Sequence, residues 1–460
     1  MAVKINLLMT GLNDHTRNSI RQISGKTDSD ISIFWMRRDL RLSDNTALYH
    51  ALATGIPTVI LYIFDDSFSD DLSADKRGIS FVYDELKKIN SQLSGSGAQV
   101  MILNGDCLEI WKNITSLLKI RSVTWNNEYE PYAIDRDRQV SRLLEEKGVE
   151  RRNYKDRVIF EKGEIVKDDS SAYKVFTSYR NKWLDKLESS GFSGTGDSEN
   201  LLSGLAGIYF KSPLPGSPRF QRSKIKAREF NPGNIEQYHK KRDYPGLDAT
   251  TFAGPYLRYG TISIRKLVKT ALMVNRTYLD ELIWREFFMQ ILYHYPAVVK
   301  NSFKIRYDSI KWLNDEHTFN RWCLGKTGYP IVDAGMRQLN KTGYMHNRVR
   351  MISAGFLCRH LLCDWRWGEK YFAERLLDYE LASNNGNWQW AAGSGCDASP
   401  YFRVFNPYLQ AKKFDPDNKY INDWLPEYGS PAYSEPVIDH KYARKRAIET
   451  YKYYLDKTKD

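Results

Sequence analysis

Acids, amides and indole rings are concentrated in one short stretch of the C-terminal half, residues 378–390. The stretch contains Asp378, Glu380, Asn384 and two tryptophans, and it has few aliphatic residues. Such a composition does not build an ordinary core, because every buried polar group needs a hydrogen-bond partner. A polar cofactor could supply those partners, so the stretch is predicted to line a cofactor site.

Two further segments place functional groups at helical spacing. Glu281, Trp284 and Arg285 lie at positions i, i+3 and i+4, so an acid, an aromatic ring and a cation share one helix face. Taken alone, this face also suits a half-buried helix with an internal ion pair, and both interpretations stay open. The same spacing relates three residues of a second segment: Asn347, Arg350 and Met351.

Chain length, net charge and aromatic content limit the classes to which the protein can belong. The 460-residue chain is long enough for two or three domains with a sizeable core. Its formal net charge of +12 fits a polyanionic partner such as nucleic acid, although a generally basic surface gives the same value. Aromatic residues make up 13%, which favours flat ligands such as flavins or exposed bases.

Several other classes find no support in the chain. The five cysteines include no CxxC pair and the eight histidines form no HExxH cluster, so neither a metal site nor a disulfide framework is predicted. No apolar run approaches the ~20 residues of a membrane span. The first thirty residues lack a signal-peptide core. We therefore expect a cytoplasmic protein without a membrane partner.

The pattern changes along the chain and predicts a parallel sheet followed by helices. Between residues 31 and 160, apolar runs alternate with helix-like segments, which is typical of a Rossmann-like α/β domain. The predicted strands are Ile31–Trp35, Thr58–Phe64, Gln99–Leu103 and Val123–Trp125. The best helix pattern between them has one apolar face, formed by Ile79, Val82, Leu86, Ile89 and Leu93.

The domain boundaries follow from the same pattern. Residues 1–30 are predicted to be an N-terminal extension, and residues 161–235, rich in Ser, Gly and Pro, an interdomain linker. Residues 236–455 are predicted to form a large helical domain. Its clearest predicted helices are Leu279–Tyr293, Ile331–Asn340, His346–Leu362 and Glu369–Tyr379.

From Ile31 to about Glu427, long motifs in the same order resemble the photolyase/cryptochrome family. The matching segments are Phe34–Asn45, Glu281–Phe288, Lys326–Ala334, Met345–Met351, Asn384–Trp390 and Asp397–Pro407. The resemblance implies an antenna-type α/β domain, a large all-α domain that binds FAD, and UV-damaged DNA as the partner of a monomeric enzyme.

The resemblance also assigns the residues around the flavin. Tyr238, Thr250 and Thr251 would contact the FAD phosphates, with Tyr278 and Arg285 nearby. The residues that would line the isoalloxazine are Asn347, Arg350, Asp378, Glu380 and Asn384. An ion pair between Arg350 and Asp378 would place a cation beside the ring and favour the anionic reduced flavin. The loop that begins at Ala249 departs from the family, with Phe252 and Gly254 at its usual basic and serine positions.

The lesion, in the same comparison, would flip out of the duplex into a pocket above the flavin. Trp284 and Trp390 would form the aromatic walls, Glu281 would hydrogen-bond the pyrimidine, and Met351 and Asn347 would lie beside it. Arg242, Arg348 and Arg403 are the implied phosphate contacts. An electron-transfer chain from the surface to the flavin would consist of Trp388, Trp365 and Trp312.

Residues at four positions distinguish the subfamilies from one another. The (6-4) photolyases carry histidines in place of Asn347 and Met351, DASH-type cryptochromes place Tyr at Trp390, and plant cryptochromes place Asp at Asn384. The chain therefore resembles the photolyases that split cyclobutane pyrimidine dimers; the alternative is a cryptochrome-type blue-light receptor that binds FAD. Because Tyr132 and Ala133 stand where some members bind folate through Asn-Glu, the antenna chromophore stays open: a folate, a deazaflavin or none.

Overall fold

The computed structural model describes residue 16 and residues 30–66, 77–192, 196–206 and 223–458. The predicted N-terminal extension lies outside the described residues apart from Thr16 and Asp30. The chain divides into two compact units. The first comprises Met1–Glu161, Lys186–Lys226 and Tyr256–Lys269, and the second comprises Lys162–Asp185, Ala227–Pro255 and Thr270–Asp460. The stretch predicted as a linker, residues 161–235, therefore contributes to both units.

A five-stranded parallel sheet forms the centre of the first unit, in the order β3-β2-β1-β4-β5. Its strands are β1 (Ile31–Met36), β2 (Thr58–Asp65), β3 (Met101–Gly105), β4 (Ile120–Asn126) and β5 (Glu150–Tyr154). The register pairs Phe34 with Ile60 and Ile33 with Val123. The four predicted strands are confirmed, and their apolar runs are explained by burial on both faces of the sheet. The edge strand β5 escaped prediction because its residues are polar and largely exposed.

Helices cover both faces of this sheet. They are α1 (Thr46–Leu52), α2 (Arg77–Leu93), α3 (Cys107–Leu117) and α4 (Pro131–Glu146). The side-chain oxygens of Asn45 and Asp106 accept hydrogen bonds from backbone N–H groups in the first turns of α1 and α3, as N-caps do. On α2, the predicted apolar face is confirmed, since Val82, Leu86 and the following members are buried and only Ile79 is partly exposed.

The second unit is helical. Three helices have residues in both units: α5 (Phe176–Ser190), α7 (Ala253–Arg258) and α8 (Ile264–Val274). The others are α6 (Tyr238–Lys241), α9 (Arg276–His294), α10 (Glu316–Cys323), α11 (Pro330–Thr342), α12 (Asn347–Gly355), α13 (Trp365–Arg375), α14 (Leu381–Ala392), α15 (Pro407–Phe414), α16 (Lys419–Trp424) and α17 (His440–Lys457). The predicted architecture, an α/β domain followed by a helical one, is confirmed.

Two predicted helices differ from the observed ones at their ends. The helix predicted over His346–Leu362 is interrupted, because α12 ends at Gly355 and a π-helical turn, Phe356–His360, follows it. The helix predicted over Glu369–Tyr379 begins earlier, at Trp365, where Asp364 caps it, and it ends at Arg375. The earlier end of the second helix places Asp378 in the non-helical segment before α14.

Candidate active site

A cavity in the second unit is lined by α12, α13, α14 and the segment between the last two helices. Eight predicted site residues line it: Asn347, Arg350, Met351, Asp378, Glu380, Asn384, Trp388 and Trp390. Phe372, Leu376 and Ala391 supply an apolar lining beside these polar groups. Apolar side chains combined with convergent polar groups are typical of sites for small molecules and cofactors.

The predicted ion pair between Arg350 and Asp378 is present at the cavity. Nη2 of Arg350 lies 2.9 Å from Oδ2 and 3.1 Å from Oδ1 of Asp378, and Nε donates to the Met345 carbonyl at 2.8 Å. The guanidinium is thus fixed on two sides. A Cβ added to Gly254 would lie 2.6 Å from Oδ2 of Asp378, so glycine at this departure from the family lets the loop approach the carboxylate closely.

Asn384 is oriented by a residue that the sequence did not single out. Its amide nitrogen donates to the side chain of Glu369 at 2.9 Å and to the Glu369 carbonyl at 3.1 Å. Burial raises the pKa of Glu369, and the hydrogen bond from Asn384 opposes that rise. Because the amide nitrogen is held by α13, the orientation of the Asn384 amide group is fixed.

The predicted phosphate contacts form a cluster of hydroxyl groups. The Thr251 hydroxyl lies 3.0 Å from that of Tyr278, and the Thr250 hydroxyl lies 3.1 Å from that of Tyr344, which was not predicted. Tyr238 meets the Tyr278 ring edge-on, with centroids 5.0 Å apart. Burial raises the pKa of Tyr278 to about 12, so its hydroxyl stays neutral. None of these residues belongs to the cavity lining.

Arg285, a residue of α9, forms an ion pair with Glu380, the residue that precedes α14. Its Nε lies 3.1 Å from one carboxylate oxygen of Glu380, and its Nη2 lies 3.3 Å from the other. Both side chains are mostly buried. This bidentate pair connects the helix that carries Trp284 to the helix that carries Asn384.

One face of Trp284 is covered by an aromatic ring from α5. The ring of Phe176 is stacked on Trp284, with centroids 3.7 Å apart and planes at 7°. Asp397 accepts a hydrogen bond from the Phe176 backbone N–H, and the buried Glu286 accepts one from Trp183 at 2.7 Å. Phe176 lies in the stretch predicted as a linker, so sequence reasoning missed it, and no spacing pattern could have revealed it.

The three arginines predicted to contact DNA differ in their surroundings, since two are paired with carboxylates and one is exposed. Arg242 forms an ion pair with Glu281, and Nη2 of Arg348 lies 2.6 Å from Oδ1 of Asp243. Arg403 is exposed to solvent. Burial raises the pKa of Glu281, and the charge of Arg242 opposes this effect. Two of the three arginines are thus already paired with carboxylates in the free protein.

The three tryptophans of the predicted electron-transfer chain are grouped around one core. Trp388 and Trp365 are buried in it, and Trp312 packs against it. A Cβ on Gly368 would lie 2.1 Å from Cη2 of Trp388, so α13, which begins at Trp365, accommodates the indole only because this position has no side chain. Trp312 meets Tyr451 edge-on at 5.8 Å.

The described parts of the chain contain no group of three or more His, Cys, Asp or Glu residues arranged to hold a metal ion. Within the same residues, no helix combines the length and the apolarity that crossing a membrane requires.

Comparisons with known proteins match both halves of the chain. Residues 32–195 match the family described as DNA photolyase, and residues 278–430 match the FAD binding domain of DNA photolyase. A deoxyribodipyrimidine photo-lyase of Vibrio cholerae is 34% identical over 91% of this chain and 99% of its own length. The corresponding enzyme of Escherichia coli is 33% identical, over 91% of this chain and 98% of its own length.

Solved structures are similar as well. A class III photolyase from Agrobacterium tumefaciens superposes with a TM-score of 0.78 at 31% identity, covering 94% of this chain and 99% of its own. An archaeal photolyase from Sulfolobus tokodaii, described with two FAD molecules, gives a TM-score of 0.76 at 31% identity, covering 92% of this chain and 100% of its own.

Proposed function

The chain belongs to the DNA photolyase family, and we propose that it acts as a deoxyribodipyrimidine photo-lyase that splits cyclobutane pyrimidine dimers in DNA. The cavity between α12 and α14 carries the proposal, because it brings eight of the predicted residues together. When bound, reduced FAD supplies the light-excited electron that opens the cyclobutane ring.

The residues of this cavity fit the isoalloxazine of FAD. A fixed cation, Arg350, faces a ligand that is anionic in its reduced state, and its partner Asp378 keeps it in place. Asn384, held by Glu369, presents a neutral amide, which exchanges no proton with the ligand. Glu380 lines the cavity and remains paired with Arg285. The hydroxyl cluster around Thr250, Thr251, Tyr238 and Tyr278 would bind the FAD phosphates.

The flipped dimer would lie between aromatic walls. Trp284 is stacked on Phe176 through one face, and Trp390 is a partly exposed member of the cavity lining. An unpaired base gains about 1–3 kcal/mol from stacking on an aromatic side chain. Glu281 would hydrogen-bond the pyrimidine edge, and Asn347 and Met351 would lie beside the lesion. These roles make a pocket for a pair of linked pyrimidines without a histidine proton donor.

DNA binding would use the basic charge of the chain. Arg242, Arg348 and Arg403 are proposed to contact phosphates on either side of the flipped dimer, in keeping with a net charge of +12. We further propose a monomer as the acting form, UV-damaged DNA as the partner and the cytoplasm as the location.

Oxidised flavin would be reactivated through Trp388, Trp365 and Trp312. Trp388 lines the cavity, and the other two belong to or pack against the same core. We expect Trp365→Phe to abolish photoreduction of bound FAD while dimer splitting by chemically reduced protein persists. For the antenna, the Sulfolobus tokodaii relative with two FAD molecules adds a flavin to folate and deazaflavin as candidates.

The proposal is tested by following thymines restored from an oligonucleotide with one cyclobutane thymine dimer, in blue light and in the dark. We expect light-dependent repair by the photoreduced wild-type protein and strongly reduced repair by Trp284→Leu. Tyr442→Leu, which removes an exposed aromatic ring of α17, serves as the matched control and keeps its activity. No repair by wild-type protein that binds and photoreduces FAD would favour the blue-light receptor instead.

A further inference from the structure

Arg242 and Glu281 form an ion pair in the free protein, although the proposed function gives each of them a different ligand. Nη1 of Arg242 lies 2.5 Å from Oε1 of Glu281, and the side chains are 24% and 30% exposed. Arg242 is expected to bind a DNA phosphate, whereas Glu281 is expected to bind the flipped pyrimidine. The pair shown in the structure therefore occupies atoms that both ligands need.

Two further carboxylates lie near Glu281: Asp280, which is paired with Arg180, and Asp243, which is paired with Arg348. Burial raises the pKa of Glu281, Arg242 opposes this rise, and the carboxylates of Asp280 and Asp243 add to it. Tyr238 and Tyr278 also face Glu281, and burial raises the pKa of both phenols, so they stay neutral. If Arg242 moves away, its opposing charge is lost while partial burial, Asp280 and Asp243 continue to raise the pKa of Glu281, which favours the protonated carboxyl.

Arg348 offers a contrast within the same surface. It is paired with Asp243 and lies over the ring of Phe414, with its guanidinium carbon 4.3 Å from the ring centroid. The side chain of Asp243 is 37% exposed. When Arg348 turns toward a phosphate, the carboxylate that it leaves is Asp243 and not Glu281.

We propose that Arg242 exchanges Glu281 for a DNA phosphate when the lesion binds, and that Glu281 takes up one proton from solvent in the same step. This inference rests on the proposed function and adds a switch to it. The proton stays on the Glu281 carboxyl group, and no other bond forms or breaks. A neutral carboxyl can donate its O–H to a pyrimidine carbonyl, whereas a carboxylate can only accept. Donation suits a carbonyl on which negative charge develops after electron transfer.

The exchange has a thermodynamic signature. Because the complex holds one more proton than the free partners, affinity for the lesion falls as pH rises between the pKa of Glu281 in the free protein and its higher value in the complex. The dissociation constant is expected to rise by up to about tenfold per pH unit in that window. His346, near Arg242, is neutral there, since burial lowers its pKa to about 4.

Calorimetry of DNA binding measures the proton directly. The FAD-loaded protein is titrated in the dark with a duplex carrying one cyclobutane thymine dimer, at pH 7, in HEPES and in Tris at equal ionic strength. The difference in heat between the buffers gives the number of protons taken up. The wild-type protein is expected to take up about one proton per complex. Glu281→Gln, which cannot titrate, is expected to take up about one fewer.

Two arginine variants provide a matched comparison. Arg242→Ala and Arg348→Ala should each weaken binding and lower the salt dependence by about one phosphate contact. Proton uptake should disappear in Arg242→Ala, whose Glu281 is already protonated before binding, and should persist in Arg348→Ala. FAD content and circular dichroism report whether each variant is folded. If Arg242→Ala fails to fold, the comparison of Glu281→Gln with Arg348→Ala still tests whether Glu281 takes up the proton.

Equal proton uptake by the wild-type protein and Glu281→Gln would overturn the inference, and so would uptake that is lost in Arg348→Ala. These outcomes are separate from failure of the proposed function, because repair of the dimer in light is measured on the same samples. A protein that repairs dimers without this proton uptake refutes only the exchange. A protein that neither binds nor repairs dimers refutes the proposed function, and the exchange with it.

Discussion

The two units of the chain use arginine–carboxylate pairs for different purposes. In the first unit, the pairs whose side chains are no more than 16% exposed include Arg37–Asp137, Arg38–Glu130, Arg41–Asp156 and Arg136–Glu128. In the second unit, three pairs among the proposed site residues and their partners are 15–37% exposed: Arg350–Asp378, Arg242–Glu281 and Arg348–Asp243. The first set is enclosed by the fold, and the second can reach a ligand.

The pKa values of three carboxylates in these pairs, Glu130, Asp156 and Glu281, shift in different directions. Burial alone would raise the pKa of Glu130, but Arg38 and Arg258 lower it to about 2. Asp156 behaves alike, since Arg41 and Arg265 outweigh its burial and lower its pKa. The pKa of Glu281, by contrast, is raised despite its arginine. Glu130 and Asp156 are therefore held in the charged state by their arginines, whereas burial outweighs the effect of Arg242 at Glu281.

The largest expected effect comes from breaking a pair in the first unit. Asp156→Ala removes a fully buried carboxylate and leaves Arg41 and Arg265 without that partner. Removing one member of a buried pair costs about 3–5 kcal/mol, which we expect as a loss of unfolding free energy in a urea titration. Glu109→Ala breaks the exposed pair with Lys112 and should leave the unfolding free energy nearly unchanged. Equal losses would remove the basis of the comparison.

In the second unit, the corresponding change should affect function more than stability. Asp378→Asn keeps the shape of the side chain but removes the charge that holds Arg350 at the cavity. We expect at least about a tenfold loss of repair rate, equivalent to about 1.4 kcal/mol, with an unfolding free energy within about 1 kcal/mol of wild type. Repair kinetics and urea denaturation on one preparation check both. A variant that unfolds like Asp156→Ala but repairs normally would reverse the contrast.

Acid should weaken the second unit through His346, which caps the helix carrying Asn347 and Arg350. Burial lowers the pKa of His346 to about 4 in the folded protein, below the 6.5 of an unfolded histidine. The unfolded state therefore binds the proton first, and stability falls as pH drops from about 6.5 toward 4. This residue should account for roughly 1 kcal/mol between pH 7 and 5.5.

His346→Asn keeps a capping side chain and removes the titration. Urea denaturation at the two pH values should show a smaller loss in this variant than in the wild-type protein. An identical acid sensitivity in both proteins would mean that other groups dominate the response.

The smallest expected effect is on DNA affinity and concerns the ring that covers Trp284 in the second unit. Phe176→Leu removes the ring stacked on Trp284 but keeps an apolar side chain. We expect about 0.5–1 kcal/mol weaker binding of dimer-containing DNA, a two- to fivefold rise in Kd, with unchanged affinity for undamaged DNA. Phe176→Tyr should restore lesion affinity. If both affinities fall together in Phe176→Leu, the ring supports the fold and has no specific part in the lesion wall.

Local patterns predicted most of the fold. The buried strands and the apolar face of α2 follow from alternation and spacing, which the chain itself displays. The edge strand β5 and the π-helical turn after Gly355 have no such signal, because their residues fit other conformations equally well. Their positions depend on pairing with β4 and on packing inside the helical unit.

The proposed site was predictable where residue types and family motifs mark the chemistry. The cavity unites Arg350, Asp378 and Asn384 as expected. The residues that position them were missed, because Glu369 and Phe176 come from elsewhere in the chain and act through contacts. The pairing of Arg242 with Glu281 was missed for the same reason, since each was assigned separately to an external ligand.

The proposed repair of cyclobutane dimers is tested by offering the photoreduced protein two oligonucleotides. One carries a cyclobutane thymine dimer and the other a (6-4) photoproduct. Both are illuminated with blue light, and restored thymines are measured by chromatography beside a dark control. We expect light-dependent repair of the cyclobutane dimer alone. Repair of the (6-4) photoproduct, or no repair of either lesion by protein that binds and photoreduces FAD, would contradict it.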